Sequence, residues 1–360
     1  MNIFKTSMLE VFKKVAEPTS FISNFYAPKL LDGISIELQG QDVAATYSVD
    51  TKIGTGGRRH SFGYHDTKTI VVPEYNDFVD ISEEDAYRVQ LGETAYTKQV
   101  GSLVNLVTNR QKDLSAMQKR AEEKQAVDAL FNGKIVLADG QSIEFRKKET
   151  HNIDCTGKKW NAIDGGVSTN DPLKSIEEAC KLCVNDGRIT GGEFNLILED
   201  EGASALLSNT IFINNSNQKH GINRTNISIP EEKTLGAFFH GQFSAGSYTI
   251  NLWSYNAQYA IPKGFNFANE GKQTTYIPKG AALIIPTKTE FVRAYGSLNE
   301  VAPQKALPLG GTMALVKAEQ LPYAYPLVFN GSNILQAGVK SRPLYIPKNI
   351  DATCTLTNLV

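Results

Sequence analysis

The chain has 360 residues, with 37 lysines and arginines against 38 aspartates and glutamates for a net charge of −1. That balance excludes a general nucleic-acid binder, which would carry a strong basic excess, and leaves room only for local or weak contact with nucleic acid. The length predicts two or three domains of roughly 100 to 200 residues each, and the four cysteines, Cys155, Cys180, Cys183 and Cys354, do not form a disulfide framework by number or spacing.

In chain order, the first predicted element is a short amphipathic helix, with Phe4, Met8, Val11, Phe12 and Val15 at helical spacing until Pro18 stops it. Glu10, Lys13 and Lys14 interrupt any signal-peptide core, and no apolar run approaches the roughly 18 residues of a spanning helix. Ile34, Ile36 and Leu38 alternate with polar residues, and Tyr47, Val49, Thr51 and Ile53 do so again, as half-buried strands would. The second run enters the glycine-rich IGTGGRRHSFG, and residues 68–72 read as the strand returning from that tip, ended by Pro73. Together they describe a long projecting hairpin. Ser82, with Asp85 at the third position, predicts the cap of a short helix.

One long helix is predicted over 102–132. Its apolar stripe is thin, comprising Leu103, Leu106, Val107, Leu114, Met117, Ala121, Val127, Leu130 and Phe131, and Asn132-Gly133 ends it. About 30 residues at roughly 1.5 Å each give a rod of about 45 Å. A helix charged nearly all round is not expected to be buried in one domain core. A hairpin follows at 134–137 and 142–145, then an amphipathic helix entered at Pro172, a strand at 194–198 and a helix over 201–207. Residues 208–229, rich in Asn, Ser and Thr, read as a long loop or lid, and strands resume at 248–253, 281–285, 290–293 and 353–359. There is no internal repeat, and the fold class is α+β.

The search for chemistry assigns no catalytic, cofactor-binding or metal-ligating residue. Gly54-Thr55-Gly56-Gly57-Arg58-Arg59 lacks the Lys-Ser/Thr ending of a phosphate loop and reads as a hairpin tip. Cys180 and Cys183 have zinc or redox spacing but sit in a predicted helix with no second pair nearby, so they read as buried thiols. Residues 241–246, GQFSAG, are one residue too long for a nucleophile elbow, and His60, His65, His151, His220 and His240 are scattered. Asp154, Asp164 and Asp171 do not have the spacing of a calcium loop.

Several stretches in order resemble the lambda-type major capsid protein E family of tailed bacteriophages. They are PTSFISNFY from Pro18, the segment from Gly57 to Glu93 with its basic hairpin and I-x-x-x-D helix entry, and KRAEEKQAVDALFNGKIVLADGQSIEF from Lys119. YIPKGAALIIPTKTEFVRAYGSLN from Tyr276 and the terminal SRPLYIPKNIDATCTLTNLV are similar to that family's later strands. Each motif alone is soft; their order and spacing over most of the chain carry the likeness.

The resemblance implies an α+β fold of the Hong Kong 97 type. On it, 1–45 is an N-terminal arm, 46–80 a projecting β-hairpin (E-loop), and 81–150 a peripheral domain with the spine helix at 102–132. Residues 151–309 form an axial α/β domain, and 310–360 return to the peripheral domain, whose parts include the C-terminal strand. The implied function is the major head protein of a double-stranded DNA phage, a homo-oligomer of hexamers and pentamers in an icosahedral shell, without cofactor, enzymatic activity or membrane. The implied partners are scaffolding, portal and decoration proteins and packaged DNA in non-specific contact, and the implied location is the virion, after assembly in the host cytoplasm. The charged sides of the helix are then expected to face solvent or neighbouring subunits. The alternatives are a nanocompartment shell protein of the same fold, or a soluble enzyme with its site in 151–309 and Cys180, Cys183 or Ser244 as the reactive group.

Overall fold

The computed structural model describes residues 20–31, 33–41, 65–81, 99–137, 140–216, 225–262, 270–298, 300–302, 314–316, 323–328 and 335–360. The predicted helix near Phe4, the strand at 47–53, the glycine-rich tip and the helix capped by Ser82 lie outside the described residues.

A single 3-10 turn, Ile22–Phe25, leads into β1 (Ala27–Leu30), β2 (Ser35–Gln41), β3 (His65–Val71) and β4 (Tyr75–Ile81). Helix α1 (Gln99–Phe131) is followed by β5 (Lys134–Val136), β6 (Ser142–Glu144), β7 (Asn152–Asp154), β8 (Ile163–Asp164) and β9 (Val167–Ser168). Next come α2 (Pro172–Gly187), β10 (Glu193–Leu198), α3 (Asp200–Ser208), α4 (Thr210–Ser216), β11 (Thr225–Thr234), β12 (Ala237–Ala245) and β13 (Tyr248–Tyr255). The short β14 (Gln258–Ala260) and β15 (Gln273–Thr275) precede β16 (Ala282–Pro286) and β17 (Val292–Tyr295). The chain closes with β18 (Glu300–Ala302), β19 (Ala314–Val316), β20 (Tyr323–Val328), β21 (Leu335–Ser341), β22 (Pro343–Ile346) and β23 (Cys354–Thr357).

The main sheet has seven strands in the order β11-β12-β13-β10-β16-β23-β7. Its central strands read as near-continuous apolar runs because both faces are covered. Phe194, Leu196 and Leu198 of β10 share one core with Ile176 of α2, Leu206 of α3 and Leu356 of β23. Ile197 of β10, with Leu283 and Ile285 of β16, points the other way, where Val127 and Leu130 of α1 and Tyr26 complete a second core. Smaller sheets β1-β17-β22 and β20-β21-β4 border α1, and Ala129, Ile135, Ile70 and Leu344 join in a third core.

Several expectations change. The strand returning from the hairpin tip pairs with the 34–38 alternation, Ser35 opposite Val71, so the pairing begins inside the segment expected to be the arm. Strands β4 and β12 were not anticipated, because the Asp residues of YNDFVDI mask an alternation and Gly241 interrupts the other beside a β-bulge. The expected loop at 208–229 contains α4 and the start of β11. Its Asn-rich composition hides a helix cap: Asn209 Oδ1 accepts from Ile211 N (3.0 Å) and Phe212 N (3.1 Å), and Phe212 is buried. The last strand, β23, pairs with β16 and β7 inside the main sheet rather than with the long helix and its hairpin, because Cys354 and Leu356 complete the first core.

Candidate functional site

The feature that organises the molecule is the buried face of α1. The helix has 33 residues and is about 50 Å long at roughly 1.5 Å per residue, starting three residues before the expected position. Val107, Gln111, Leu114, Gln118, Glu122, Gln125 and Ala129 succeed one another at spacings of three and four, and all are buried. Met117, counted in the apolar stripe by its spacing, is instead 52% exposed. The expectation that the charged sides look outward is therefore overturned for Glu122 and Glu123. The polar residues of the stripe are buried because groups from distant parts of the chain meet them.

Glu123 holds the N-terminal segment. Its Oε1 accepts from Ile22 N (2.7 Å) and Tyr255 OH (2.8 Å), and its Oε2 from Ser23 N (2.9 Å). The first N–H groups of the turn at Ile22–Phe25 have no local side-chain cap, so a carboxylate from across the fold supplies it. Tyr26 OH donates to Ala126 O at 3.1 Å, and the Phe21 ring packs on Trp253 and Tyr255 at 5.0 and 5.3 Å between centroids. Glu122 faces the neighbouring sheet: its Oε2 accepts from Tyr345 OH (3.0 Å) and Tyr295 OH (3.3 Å). Burial, partly offset by those tyrosines and Arg293, raises its carboxyl above the usual 4.5. One turn earlier, Gln118 Nε2 donates to Asp77 Oδ2 (2.9 Å) and Val339 O (2.8 Å), while its Oε1 accepts from Ser341 Oγ (3.0 Å). A single helical stripe thus binds the N-terminal segment, β17 with β22, and β4 with β21.

The helix ends where the sequence puts its stop. Gly133 has φ of 66°, and Lys147 Nζ donates to the terminal carbonyls Leu130 O (3.0 Å) and Phe131 O (3.1 Å) as well as to Thr355 Oγ1 (3.3 Å). Burial draws the Lys147 ammonium from 10.5 down to about 8. Between those values the unfolded chain binds more protons than the folded one, so this group adds stability as pH rises through the window. The urea midpoint of the native chain should rise relative to that of Lys147→Met between pH 7.5 and 10 (about 8 to 10.5 being the active range). A constant difference would exclude the buried ammonium.

Of the residues that could have carried chemistry, the cysteines share the first core, with Cys183 against Cys354, and the others lie apart. All four cysteines are free and buried. Burial pushes the Cys155 thiol to about 11 and raises Cys180, while contact with Cys354 together with burial raises Cys183, which disfavours the reactive thiolate. Asp171 caps α2 by accepting from Leu173 N (3.0 Å), and Asp154 accepts from Thr156 Oγ1 (2.6 Å) in a surface turn. His151 Nδ1 lies 2.9 Å from Thr353 O and its Nε2 2.9 Å from Asp186 Oδ2. Ser244, half-buried on β12, lies opposite Thr249. His240 Nε2 and Ser254 Oγ meet at 2.8 Å as a buried cross-strand pair the sequence did not suggest. The glycine-rich 54–59 stretch lies outside the described residues. Among the described residues no group of three or more His, Cys, Asp or Glu is placed to hold a metal, and no helix is long and apolar enough to cross a membrane.

A helix lined with buried polar anchors ties the small sheets to a layered α/β unit, and this is the architecture set beside known proteins. The profile of the Phage major capsid protein E family matches residues 34–358, and the chain belongs to that family. Its relatives include the P21 prophage-derived major head protein of Escherichia coli O6:H1 (strain CFT073) and the major capsid protein of Enterobacteria phage P21. Each is 23% identical over 217 residues, 59% of this chain. The match spans 56% of the length of those relatives. The crystal structure of a prophage capsid protein of E. coli CFT073 superposes with a TM-score of 0.64 at 18% identity, covering 98% of both chains. The α+β fold is thus of the Hong Kong 97 capsid type. The family is one of structural capsid proteins, which is where the expectation of a non-enzyme has its support.

Proposed function

We propose that this chain is the major head protein of a tailed double-stranded DNA bacteriophage, assembling through hexamers and pentamers into an icosahedral shell around the genome. The observation that carries this reading is the family match over residues 34–358. On this reading the arm ends where the E-loop pairing begins at Ser35, 81–150 is the peripheral domain, 151–309 the axial domain, and the chain from 310 returns to the peripheral domain before β23 joins the main sheet. Its partners are copies of itself, with scaffolding, portal and decoration proteins and packaged DNA, and it resides in the virion after assembly in the host cytoplasm. The chain performs no reaction of its own. Physical support comes from apolar side chains left outside on strands near the hairpin base: Leu30 is 57% exposed, Val71 65% and Phe78 54%. Large apolar groups on strands are liabilities in an isolated molecule and contact surface in an assembly.

Negative-stain microscopy of the expressed protein, alone and with its neighbouring phage proteins, tests the reading: capsomers or shells are expected, and a clean monomer at high concentration under both conditions refutes it. Nucleic acid as the cargo of isolated particles separates it from a nanocompartment, whose cargo is protein. Alanine at Cys180, Cys183 and Ser244 should leave particles intact. Ala121→Pro, in the middle of α1, removes a helical hydrogen bond and clashes with the preceding turn at a cost of roughly 3 kcal/mol or more. It should abolish particles, and normal particles from it would remove the helix from the role assigned.

A further inference from the structure

The run KRAEEK at 119–124, with three cations against two carboxylates, is more cationic still on the outside of α1. Glu122 and Glu123 turn inward to hold the tyrosines and the N-terminal segment, which removes their carboxylates from the outer surface. Arg110, Asp113, Met117, Arg120 and Lys124 succeed one another on one exposed face at spacings of three and four, with Lys112 exposed on its flank. On the face itself Arg110, Arg120 and Lys124 therefore stand against exposed Asp113 and half-buried Asp128, the latter paired with Lys124. From Arg110 to Lys124 the stripe runs about 21 Å at roughly 1.5 Å per residue.

We propose that this outward face of α1 is a contact surface for the phosphates of duplex DNA. The inference rests on the reading of the chain as a phage shell subunit and deepens it by naming the surface that meets the genome. Charge complementarity favours this occupant over an acidic protein segment. A docked peptide or helix needs an apolar seam, and Met117 is the one large apolar side chain of the stripe. A phosphate backbone needs only positive charge at a helical face, and the forks of Arg110 and Arg120 suit phosphate oxygens. The near-zero net charge of the whole chain keeps such contact local and weak, as suits DNA that has to be packed and released.

The test uses the full-length chain, kept dilute enough to remain unassembled, titrated with a short labelled duplex of arbitrary sequence across a salt series. Three phosphate contacts predict a log–log salt slope of about −2.7 from Arg110, Arg120 and Lys124. The triple variant R110Q/R120Q/K124Q, with unchanged melting temperature, should lose that slope and bind at least roughly tenfold more weakly at low salt. Unchanged binding by the variant, or no duplex binding by the native chain, overturns the proposal. Polyglutamate bound while duplex is not would assign the face to an acidic protein and equally overturn it. Microscopy of the same preparation at assembly concentration keeps the two readings apart: particles without duplex binding sink only this surface, and no particles sinks the shell reading.

Discussion

Glu123→Gln is expected to destabilise the protein by about 2–4 kcal/mol, while the neighbouring Glu122→Gln costs less than about 1 kcal/mol at neutral pH. The two residues are adjacent, buried and chemically identical, and only their partners differ. Both Glu123 oxygens are engaged, accepting from Ile22 N, Tyr255 OH and Ser23 N, so an amide group at this position must point a donor at a donor. That leaves a buried N–H unpaired and loosens the N-terminal segment from the helix. At Glu122 one oxygen accepts from both tyrosines and the other has no partner among the described residues, so glutamine keeps the acceptor and removes a buried charge. Because burial raises the Glu122 carboxyl, its stabilising contribution is complete below about the ordinary 4.5 and is lost as pH rises through the folded value. The cost of Glu122→Gln relative to the native chain should therefore shrink from pH 4 towards neutrality (about 4.5 being the ordinary value). Urea midpoints of both variants across that range are the measurement, and equal losses would show that the two carboxylates are not distinguished by their partners.

Gly133→Ala should be the second large loss, about 3 kcal/mol, against about 1 kcal/mol for Gly140→Ala in the following hairpin. Both glycines have positive φ, 66° and 82°, so both variants bear the strain of a left-handed residue. Only at Gly133 is there also no room: an added Cβ would lie 2.6 Å from Lys147 Cβ, whereas at Gly140 nothing lies within 4 Å. Lys147 would have to back away from the helix-end carbonyls it caps, so the damage reaches both the end of α1 and the contact with β23. The difference between the two melting temperatures isolates the packing component from the backbone component, and similar losses would locate the effect in the backbone alone.

How much was legible varies with the range of the interaction. The extent of α1, its stop at Gly133, the β5–β6 hairpin, the entry of α2 at Pro172 and the buried strands β10 and β16 were readable, because each depends on neighbours a few residues away. The resemblance of ordered motifs to the capsid family was readable for the same reason. The helix α4 was missed because its cap is an asparagine among asparagines, and β12 because a glycine sits beside its bulge.

The sequence by itself determined the family, the α+β class and the existence of one long helix, since local spacing, turn residues and motif order are properties of the chain alone. Which side of that helix is inside was decided only by the tertiary structure. A stripe containing Gln111, Gln118, Glu122 and Gln125 looks like a solvent face until donors and acceptors from Asp77, Tyr295, Val339, Ser341 and Tyr345 arrive to satisfy members of it. Glu123 is likewise inside only because Ile22, Ser23 and Tyr255 reach it, partners 100 to 132 residues away. A buried polar group is costly unless paired, and pairing across such separations has no local signature. The inward turn of those glutamates also makes the outer face cationic, so the electrostatic surface of the helix is set by the fold and not by its composition.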